Sequence, residues 1–530
     1  MPAPTRAAFP LIRNLTALQD GPFDLLVIGG GIYGAWTAAD AAQRGLKVAL
    51  IERDDWGAGT SQSSSKLIHG GLRYLEHYEF ALVRHALAER RVLSRLAPHL
   101  VRPLNFVVPV WKGARVGRMQ LLAGLTLYDF LATGKQPVPR FKSFSRKKLL
   151  AAHPYLDEAG LKGGLRYGDC QEDDARMTLF VVAAAQAAGA VCANAVAADE
   201  LLFDGDRCVG AQLRDTETGE RFALRAACVV NAGGPWAHRL PGAAPPAVKL
   251  VKGVHLVLPA IPGLEDAFLL TAPSDGRVFF VIPWNGRTLV GTTESQVEDA
   301  TGIAVEDAEA RYLLDAVNAL MPGLGWTSDQ VIGRFAGVRS LQAEDADSLA
   351  AVSREFTVLT PRPGLVWPLG GKYTTARCDA VEIVDRVFDS LGLAAVESRS
   401  DRTPLPGTPQ EVRELGDFTG WQQEAISGLA RRGLDADTAQ ALTLRHGTGI
   451  RRVEALLDEN PAWCARIHPD APYLRAEVVL AVRDEMARRP DDVVRRRMPL
   501  SLIVPDAPCW RATVAALMTE AGAPVAARQA

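Results

Sequence analysis

Cysteine is scarce in this sequence, with seven among 530 residues, and none of them forms a C-x-x-C pair. No histidines cluster near them at the spacing of metal ligands. A disulfide-stapled secreted domain and a cysteine-based zinc site are therefore not expected. We predict reduced thiols, a cytoplasmic protein and no bound metal.

An excess of charge of one sign is also lacking. The 59 Lys and Arg residues nearly balance the 61 Asp and Glu residues, for a formal net charge of -2. Nucleic-acid-binding domains are usually basic, so nucleic acid is not an expected partner. The length of 530 residues exceeds what one core supports, so we expect two or three domains.

Long uninterrupted apolar runs are missing as well. The segment most similar to a membrane span, Met177–Ala198, is broken by polar residues and Gly189. It predicts a buried helix that ends at Gly189 and a strand from Val191. Residues 5–20 mix arginine with polar residues and lack the apolar stretch of a signal peptide. Any membrane contact is therefore expected to be peripheral.

The N-terminal region has the pattern of a β-α-β unit. Residues 24–29 predict a buried strand, residues 36–44 a helix, and residues 47–52 a second strand. The turn before the helix has the spacing G-x-G-x-x-G, which lets backbone approach a pyrophosphate, and Glu52 ends the second strand where an acidic side chain binds ribose. The pattern predicts dinucleotide binding and leaves FAD and NAD both open. The three glycines are Gly29, Gly31 and Gly34.

Later segments predict further elements. Asp173 and Asp174 precede an Ala-rich helix that they could cap. Residues 191–214 predict short strands, and residues 248–293 predict an antiparallel sheet. Residues 404–409 are punctuated by Pro and Gly and predict a linker, beyond which the chain is helical and rich in arginine.

Several motifs occur in an order that resembles the FAD-dependent glycerol-3-phosphate dehydrogenases. The resemblance runs from about residue 20 to about residue 500 and includes a D-D-x-x-R-R pattern at Asp491–Arg496. The matching blocks are S-S-S-K-L-I-H-G-G-L-R-Y-L-E at Ser63–Glu76, V-N-A-G-G-P-W at Val230–Trp236, K-G-V-H at Lys252–His255 and G-G-K-Y-T-T at Gly370–Thr375.

The resemblance implies an α/β fold with three parts. These are a discontinuous Rossmann-like FAD-binding domain, an antiparallel-sheet substrate domain and a C-terminal helical domain. The expected boundaries are 20–100, 170–240 and 335–395 for the first, 101–169 and 241–334 for the second, and 405–530 for the third. It also implies oxidation of sn-glycerol 3-phosphate to dihydroxyacetone phosphate, with electrons passed through FAD to a quinone such as ubiquinone. The oligomeric state stays open, with a homodimer as one option.

The substrate residues implied by the resemblance fit a small alcohol with a phosphate. Arg73, Arg339 and Arg354 would bind the phosphate, because the planar guanidinium pairs with two oxygens. His255 would accept the hydroxyl proton, since imidazole titrates near neutral pH, with a purely structural histidine as the alternative. Tyr74 would orient the substrate or pack in the core. Lys372 would stabilise negative charge on the reduced flavin or contact substrate, which makes His255, Arg73 and Lys372 the expected catalytic set.

The same resemblance implies the residues that contact FAD. They are Gly29, Gly31, Gly34, Glu52, Ser65, His69, Gly70, Gly233, Gly371 and Thr374.

The sequence departs from the family motifs at two positions, and three alternative functions stay open. The family motifs G-V-R-P and G-G-K-L-T-T have Ser340 and Tyr373 here, and neither change removes a charged group. A calcium loop of the type in mitochondrial relatives is not seen, which favours a bacterial-type enzyme. The rivals are a glycerol-3-phosphate oxidase that uses O2, an amine or amino-acid oxidase, and a non-catalytic flavin-binding factor of tRNA modification.

A peripheral membrane site is predicted between residues 111 and 148. An amphipathic stretch bordered by Trp111 precedes a basic cluster, and basic residues are attracted to the anionic cytoplasmic membrane surface. A solvated loop beside an ordinary packed helix is the alternative. The stretch consists of Arg115, Arg118, Leu121, Leu122, Leu125, Tyr128 and Phe130, and the cluster of Arg140, Lys142, Arg146, Lys147 and Lys148.

Overall fold

The structure is a computed structural model that describes residues 9–242, 248–342, 356–412 and 415–523. Arg354 lies outside the described residues. The strands are β1 (Phe23–Ile28), β2 (Val48–Ile51), β3 (Leu67–Ile68), β4 (Val101–Trp111), β5 (Lys142–Ser145), β6 (Leu161–Glu172), β7 (Val191–Ala193), β8 (Val196–Asp204), β9 (Arg207–Asp215), β10 (Arg221–Asn231), β11 (Val248–Pro259), β12 (Ala267–Thr271), β13 (Val278–Trp284), β14 (Arg287–Gly291), β15 (Ser295–Val297), β16 (Gly333–Gln342), β17 (Thr357–Arg362), β18 (Leu365–Leu369), β19 (Arg466–His468) and β20 (Ala471–Leu474).

The helices are interspersed among these strands in the first 400 residues and predominate beyond them. They are α1 (Leu15–Gln19), α2 (Ile32–Gln43), α3 (Phe80–Leu96), α4 (Arg118–Leu131), α5 (Arg146–Ala152), α6 (Asp174–Ala187), α7 (Asp307–Leu320), α8 (Ala376–Leu391), α9 (Leu415–Arg431), α10 (Ala436–His446), α11 (Ile450–Glu459), α12 (Arg475–Asp484), α13 (Leu500–Ile503) and α14 (Pro508–Glu520).

The first sheet confirms the predicted doubly wound α/β architecture. Its path is β17-β18-β10-β1-β2-β7, and the pairs from β18 to β7 are parallel. The Ala-rich helix α2 is buried and packs against α6 and α8, because small side chains let helices approach closely. The side chain of Asp173 caps α6, and the predicted strand from Val191 is β7.

The second sheet holds ten strands and is mostly antiparallel, with the order β15-β11-β14-β13-β12-β4-β6-β3. β16 pairs along the length of β11, and β5 pairs with β6. Residues 335–342, expected in the FAD-binding region, therefore belong by pairing to this sheet. The antiparallel strands predicted over residues 248–293 are confirmed by β11 to β14.

The C-terminal helices are tied to the first sheet by buried ion pairs. Arg497 binds the carboxylate of Asp55, which follows β2, with an N–O distance of 2.6 Å, and Arg176 of α6 binds Glu485 at 2.9 Å. Asp492 accepts hydrogen bonds from the backbone of Arg488 and Arg489. Arg496, the last residue of the D-D-x-x-R-R pattern, binds Asp55 at 2.5 Å, so the pattern contributes to this junction.

The segment predicted as a linker, residues 404–409, is packed against neighbouring parts of the chain. Leu405 is buried, and its backbone N–H donates to the carbonyl of Leu96. A Cβ atom on Gly407 would lie 2.8 Å from both the His99 ring and the Phe180 ring. The segment is therefore a fixed connection.

Candidate functional site

A cavity of about 1280 Å³ runs from the carboxyl ends of β1 and β2 to the face of the second sheet. Glu52 lines it where β2 ends, and Arg73 and Arg339 line it beside the second sheet. Ligands of doubly wound folds bind at the carboxyl ends of the parallel strands. The cavity therefore joins the nucleotide motif to the predicted substrate residues.

The glycines of the nucleotide motif hold the turn before α2 close to its neighbours. Gly29 has φ +109°, and a Cβ atom there would lie 2.5 Å from the carbonyl oxygen of Ala232. A Cβ atom on Gly34 would lie 1.9 Å from the carbonyl oxygen of Gly29. Gly31 lines the cavity and precedes the first residue of α2, whose N-terminus favours a phosphate.

Glu52 lies at the end of β2, and both of its carboxylate oxygens accept hydrogen bonds from backbone N–H groups. Oε2 accepts from the N–H of Gly30 at 2.7 Å, and Oε1 accepts from the N–H of Asp54 at 2.9 Å. Burial raises the pKa of Glu52 to about 7, although these hydrogen bonds lower it. Ribose hydroxyls that donate to this carboxylate would favour its ionised form.

His255 and Ser65 meet in the middle of the cavity wall. The Nε2 atom of His255 lies 3.0 Å from the Oγ atom of Ser65, and the imidazole stacks on Phe335 with 4.9 Å between ring centroids. Burial, together with the charges of Lys66 and Arg339, lowers the pKa of His255 to about 3. The expectation that this imidazole titrates near neutral pH is therefore not met, because the site disfavours its charged form.

Arg73 and Arg339 converge on one carboxylate. The Oε1 atom of Glu294 lies 3.8 Å from Nη2 of Arg73 and 3.7 Å from Nη1 of Arg339. A Cβ atom on Gly253 would lie 2.9 Å from Nη2 of Arg339, so the glycine of the K-G-V-H block leaves room for this guanidinium. Arg339 lies on β16 and Arg73 lies after β3, so the two cations come from distant parts of the chain.

Residues of the K-G-V-H block point alternately to the two faces of β11. Gly253 and His255 line the cavity. Lys252, which directly precedes Gly253, points to the other face and binds Glu306 and Glu309 near α7, with N–O distances of 3.0 Å. This alternation follows from the two-residue period of a strand.

The turn formed by the G-G-K-Y-T-T block, Gly370–Thr375, brings Lys372 to the cavity. Its Nζ atom lies 3.4 Å from the centroid of the Tyr74 ring, and the ring is buried. Gly371 has φ +80°, and a Cβ atom there would lie 1.8 Å from the hydroxyl of Tyr33. The Oγ1 atom of Thr374 accepts from the N–H of His69 at 3.3 Å, and both residues line the cavity.

Two of the predicted FAD residues, Gly233 and Gly70, differ in whether they line the cavity. Gly233 lines the cavity after β10, and its N–H donates to the Asn231 side chain at 3.3 Å. Gly70 is turned to the other side, where a Cβ atom would lie 2.4 Å from the Tyr128 hydroxyl, and its N–H donates to Asp169 at 3.2 Å. The reason for glycine at position 70 is therefore helix packing against α4.

Some residues at the cavity were not predicted from the sequence. Glu294 is one, since a lone acidic residue after a strand carries no signal. Tyr33 is another, and together with Asp379 it supports the turn at Gly370–Thr375. The hydroxyl of Tyr33 donates to Asp379 at 2.6 Å, and Thr375 donates to the same carboxylate at 2.8 Å. Burial raises the pKa of Asp379 to about 6.

The residues present fit FAD. The close approach at Gly29 and Gly34, the carboxylate of Glu52 and the cavity volume of about 1280 Å³ suit a dinucleotide. Within the described part of the chain, no group of three or more His, Cys, Asp or Glu side chains is placed to hold a metal ion.

Comparisons with known proteins agree with this geometry. The sequence model of the FAD dependent oxidoreductase family matches residues 24–377, and that of the C-terminal domain of alpha-glycerophosphate oxidase matches residues 398–523. Glycerol-3-phosphate dehydrogenase 2 of Mycobacterium tuberculosis is 38% identical over 491 residues, which cover 91% of this chain and 82% of the relative. Aerobic glycerol-3-phosphate dehydrogenase of Bacillus subtilis is 34% identical, covering 92% of this chain and 88% of the relative.

A solved structure extends the likeness to the fold. The glycerol-3-phosphate dehydrogenase from Bacillus halodurans complexed with FAD superposes with a TM-score of 0.77 and 28% identity, covering 96% of this chain and 92% of that chain. The predicted fold class and cofactor are thus confirmed. The chain belongs to the FAD-dependent glycerol-3-phosphate dehydrogenase family.

Proposed function

We propose that this enzyme oxidises sn-glycerol 3-phosphate to dihydroxyacetone phosphate and passes the electrons to a quinone. The observation that carries the substrate is the convergence of Arg73 and Arg339 at the cavity end that also contains His255. FAD, when bound, supplies the acceptor for the hydride from C2. The first test is product analysis, in which dihydroxyacetone phosphate should form in a one-to-one ratio with the acceptor reduced.

Arg73 and Arg339 bind the phosphate in this proposal, and Arg354 is proposed with them from the family motif. A guanidinium offers a fork of N–H donors that matches two phosphate oxygens. Their side chains are 25% and 30% exposed, so both reach the open space of the cavity. Tyr74 and Lys372 would bound the substrate from the glycine turn, and Lys372 would offset negative charge that develops during hydride transfer.

His255 is proposed to accept the hydroxyl proton at Nε2. This nitrogen contacts Ser65, which lines the cavity, whereas Nδ1 is buried. The neutral imidazole has a lone pair available at physiological pH, because burial and nearby cations hold its pKa at about 3. A phosphate dianion on Arg339 would offset the cation that opposes protonation, so substrate binding itself strengthens the base.

The three-part division of the chain is proposed with residues 335–342 moved to the substrate domain, and the FAD contacts are proposed as the sequence predicts them except at Gly70. Glu52 would bind ribose, Gly29 and Gly31 the pyrophosphate, and Gly34 the packing that shapes this turn. Ser65, His69, Gly233, Gly371 and Thr374 would surround the flavin end. Gly70 would act indirectly, through its contact with Tyr128.

Quinone is the proposed acceptor, and O2 is the alternative because the matching C-terminal domain model is named for an oxidase. The two are separated by reoxidising the substrate-reduced protein with a short-chain ubiquinone or with air-saturated buffer. Quinone should reoxidise it faster by orders of magnitude. Equal rates, with hydrogen peroxide formed at each turnover, would identify an oxidase.

Peripheral attachment to the cytoplasmic membrane is proposed with a revised contact surface. Within the described residues, no helix is both long and apolar enough to cross a bilayer. Leu121, Leu125 and Tyr128 of the predicted amphipathic stretch are buried, so they cannot contact lipid. The opposite side of α4 carries Met119 and Phe130, which are 76% and 80% exposed and lie three helical turns apart on one face.

This exposed face of α4 has the properties of an interfacial helix. Exposed Lys147 and Lys148 lie on α5 nearby in sequence, whereas Arg115 and Arg146 pair with Glu76 and Glu158. Apolar side chains that enter the headgroup region and lysines near anionic lipid reinforce each other.

Two double variants and a matched double control test the attachment. Met119→Ser with Phe130→Ser should reduce binding to vesicles that contain anionic lipid, and so should neutralising Lys147 and Lys148. The control changes Leu393 and Val396 to Ser, because these side chains are 50% and 48% exposed elsewhere. Equal vesicle binding of all variants and the parent protein would contradict this surface.

A further inference from the structure

Glu294 occupies an unexpected place among the predicted phosphate-binding residues. It follows β14 on the cavity wall, and its side chain is 10% exposed. Its backbone carbonyl accepts a hydrogen bond from Nη1 of Arg277 at 3.3 Å, which helps to fix the segment. Its Oε1 atom lies within 4 Å of guanidinium nitrogens of both Arg73 and Arg339.

The contacts of Glu294 with Arg73 and Arg339 are ion pairs without hydrogen-bond geometry. Their distances of 3.8 and 3.7 Å exceed the roughly 2.7–2.9 Å of a charge-assisted hydrogen bond. One oxygen serves two guanidinium groups, whereas a phosphate offers three oxygens to the same groups. A bound phosphate would thus replace weak shared contacts by direct ones, and it would also be repelled by the carboxylate.

We propose that Glu294 is an internal competitor for the phosphate-binding arginines, which limits the affinity for the phosphate group shared by substrate and product. This inference rests on the proposed function, because it takes Arg73 and Arg339 as the phosphate site. Tighter binding of a group that substrate and product share does not lower the barrier between them. A carboxylate that weakens this binding shortens the lifetime of the product complex, so Glu294 acts as a positioning and affinity-setting residue.

The experiment titrates the oxidised, FAD-loaded protein with inorganic phosphate and follows the change in flavin absorbance. Glu294→Gln removes the competing charge and should tighten phosphate binding by roughly 5- to 50-fold, the size of a typical coupling between two sites. The KM for glycerol 3-phosphate should fall in parallel. If product release limits turnover, kcat should fall as well. A variant that only disturbed the structure would lower kcat without also lowering the KM.

Two further variants make the result specific. Glu76→Gln changes a carboxylate that lines the same cavity but binds Arg115 at 2.6 Å, so it should leave phosphate affinity unchanged. Glu294→Asp keeps the charge and withdraws it by one methylene, so it should tighten phosphate binding less than Gln does. If Glu294→Gln folds poorly, Glu294→Asp still allows the phosphate titration.

The outcomes separate this proposal from the function on which it rests. Phosphate affinity that is unchanged or weaker in both Glu294 variants, with clear binding by the parent protein, would overturn the competitor role alone. No phosphate binding by the parent protein or either variant would overturn the competitor role together with the phosphate assignment. Tightening in Glu294→Gln that equals tightening in Glu76→Gln would also overturn it, because the effect would then be general to the cavity charge.

Discussion

The Nε2 atom of His255 lies 3.0 Å from the Oγ atom of Ser65, so a strand of the second sheet meets the loop that precedes β3 at the cavity wall. The imidazole is buried, and a Cβ atom on Gly291 would lie 2.3 Å from its Cδ2 atom. The ring is therefore held in one place by β11, its neighbour β14 and Ser65. Such fixed placement is what general base catalysis requires.

Replacing His255 by Gln should lower kcat by about 10²- to 10⁴-fold, the usual contribution of a positioned base. Because the pKa of His255 is lowered to about 3, the imidazole is neutral above that pH and protonates only below it. An acid limb of kcat/KM near pH 6 should therefore come from the substrate phosphate, whose second pKa is about 6. The limb should persist in the variant.

The check is a pH profile of kcat/KM for both proteins from pH 5 to 9. A limb near pH 6.5 that disappears in His255→Gln would show that the histidine titrates there, against this account.

Replacing Arg339 by Ala should raise the KM for glycerol 3-phosphate by roughly 10- to 150-fold, because a charge-assisted hydrogen bond is worth about 1.5–3 kcal/mol. Arg339→Lys should recover only part of the loss, since Lys lacks the planar fork. Arg115→Ala is the control, as Arg115 lines the same cavity but binds Glu76. Steady-state kinetics decides, and a KM that rises equally in the control would count against a specific phosphate contact.

Glu52 should make the binding of FAD depend on pH. Its pKa is raised to about 7 in the protein without cofactor, so the carboxyl is protonated below pH 7 and ionised above it. Ribose hydroxyls donate to the ionised form, so FAD affinity should fall as pH drops below 7, by up to about tenfold per unit. Titration of the cofactor-free protein with FAD measures this, and Glu52→Gln should bind more weakly with a flat profile. Parallel profiles for the two proteins would refute the role of the carboxylate.

Gly34→Ala should abolish retention of FAD or prevent folding, because the added Cβ would lie 1.9 Å from the carbonyl oxygen of Gly29. Gly124→Ala is the matched control in another helix, where a Cβ meets nothing within 4 Å. It should keep its FAD and gain up to about 1 kcal/mol of stability from helix propensity. The flavin-to-protein absorbance ratio and the thermal midpoint test both, and a Gly34→Ala protein with full FAD would contradict the close packing.

The sequence predicted what depends on local pattern. The β-α-β unit, the helix capped by Asp173 and the strands after residue 248 follow from spacing and periodicity, and the structure confirms them. The convergence of Arg73 and Arg339 could be expected only through the family motifs, since the two residues are distant in the chain. The pairing of β16 with β11 places Arg339 at the cavity, and Arg73 follows β3, which pairs with β6 in the same sheet.

What the sequence did not predict depends on which side of an element faces the core. The amphipathic pattern predicts Leu121 and Tyr128 on a membrane surface, but they pack inward and the Tyr128 hydroxyl donates to Asp169 at 2.8 Å. The sequence also gives no sign that a Cβ atom on Gly70 would meet that same tyrosine. Glu294 had no signal at all, because its role depends on two arginines that only the folded sheet brings together.

The most direct test of the central claim is anaerobic reduction of the purified yellow protein. Glycerol 3-phosphate, glycerol and a D-amino acid are added in separate experiments while the absorbance of oxidised flavin is followed. This account predicts bleaching by glycerol 3-phosphate alone, which would establish both the reductive half-reaction and the need for the phosphate. Intact flavin that glycerol 3-phosphate does not bleach would contradict the proposed substrate and the assignment of Arg73 and Arg339 to its phosphate.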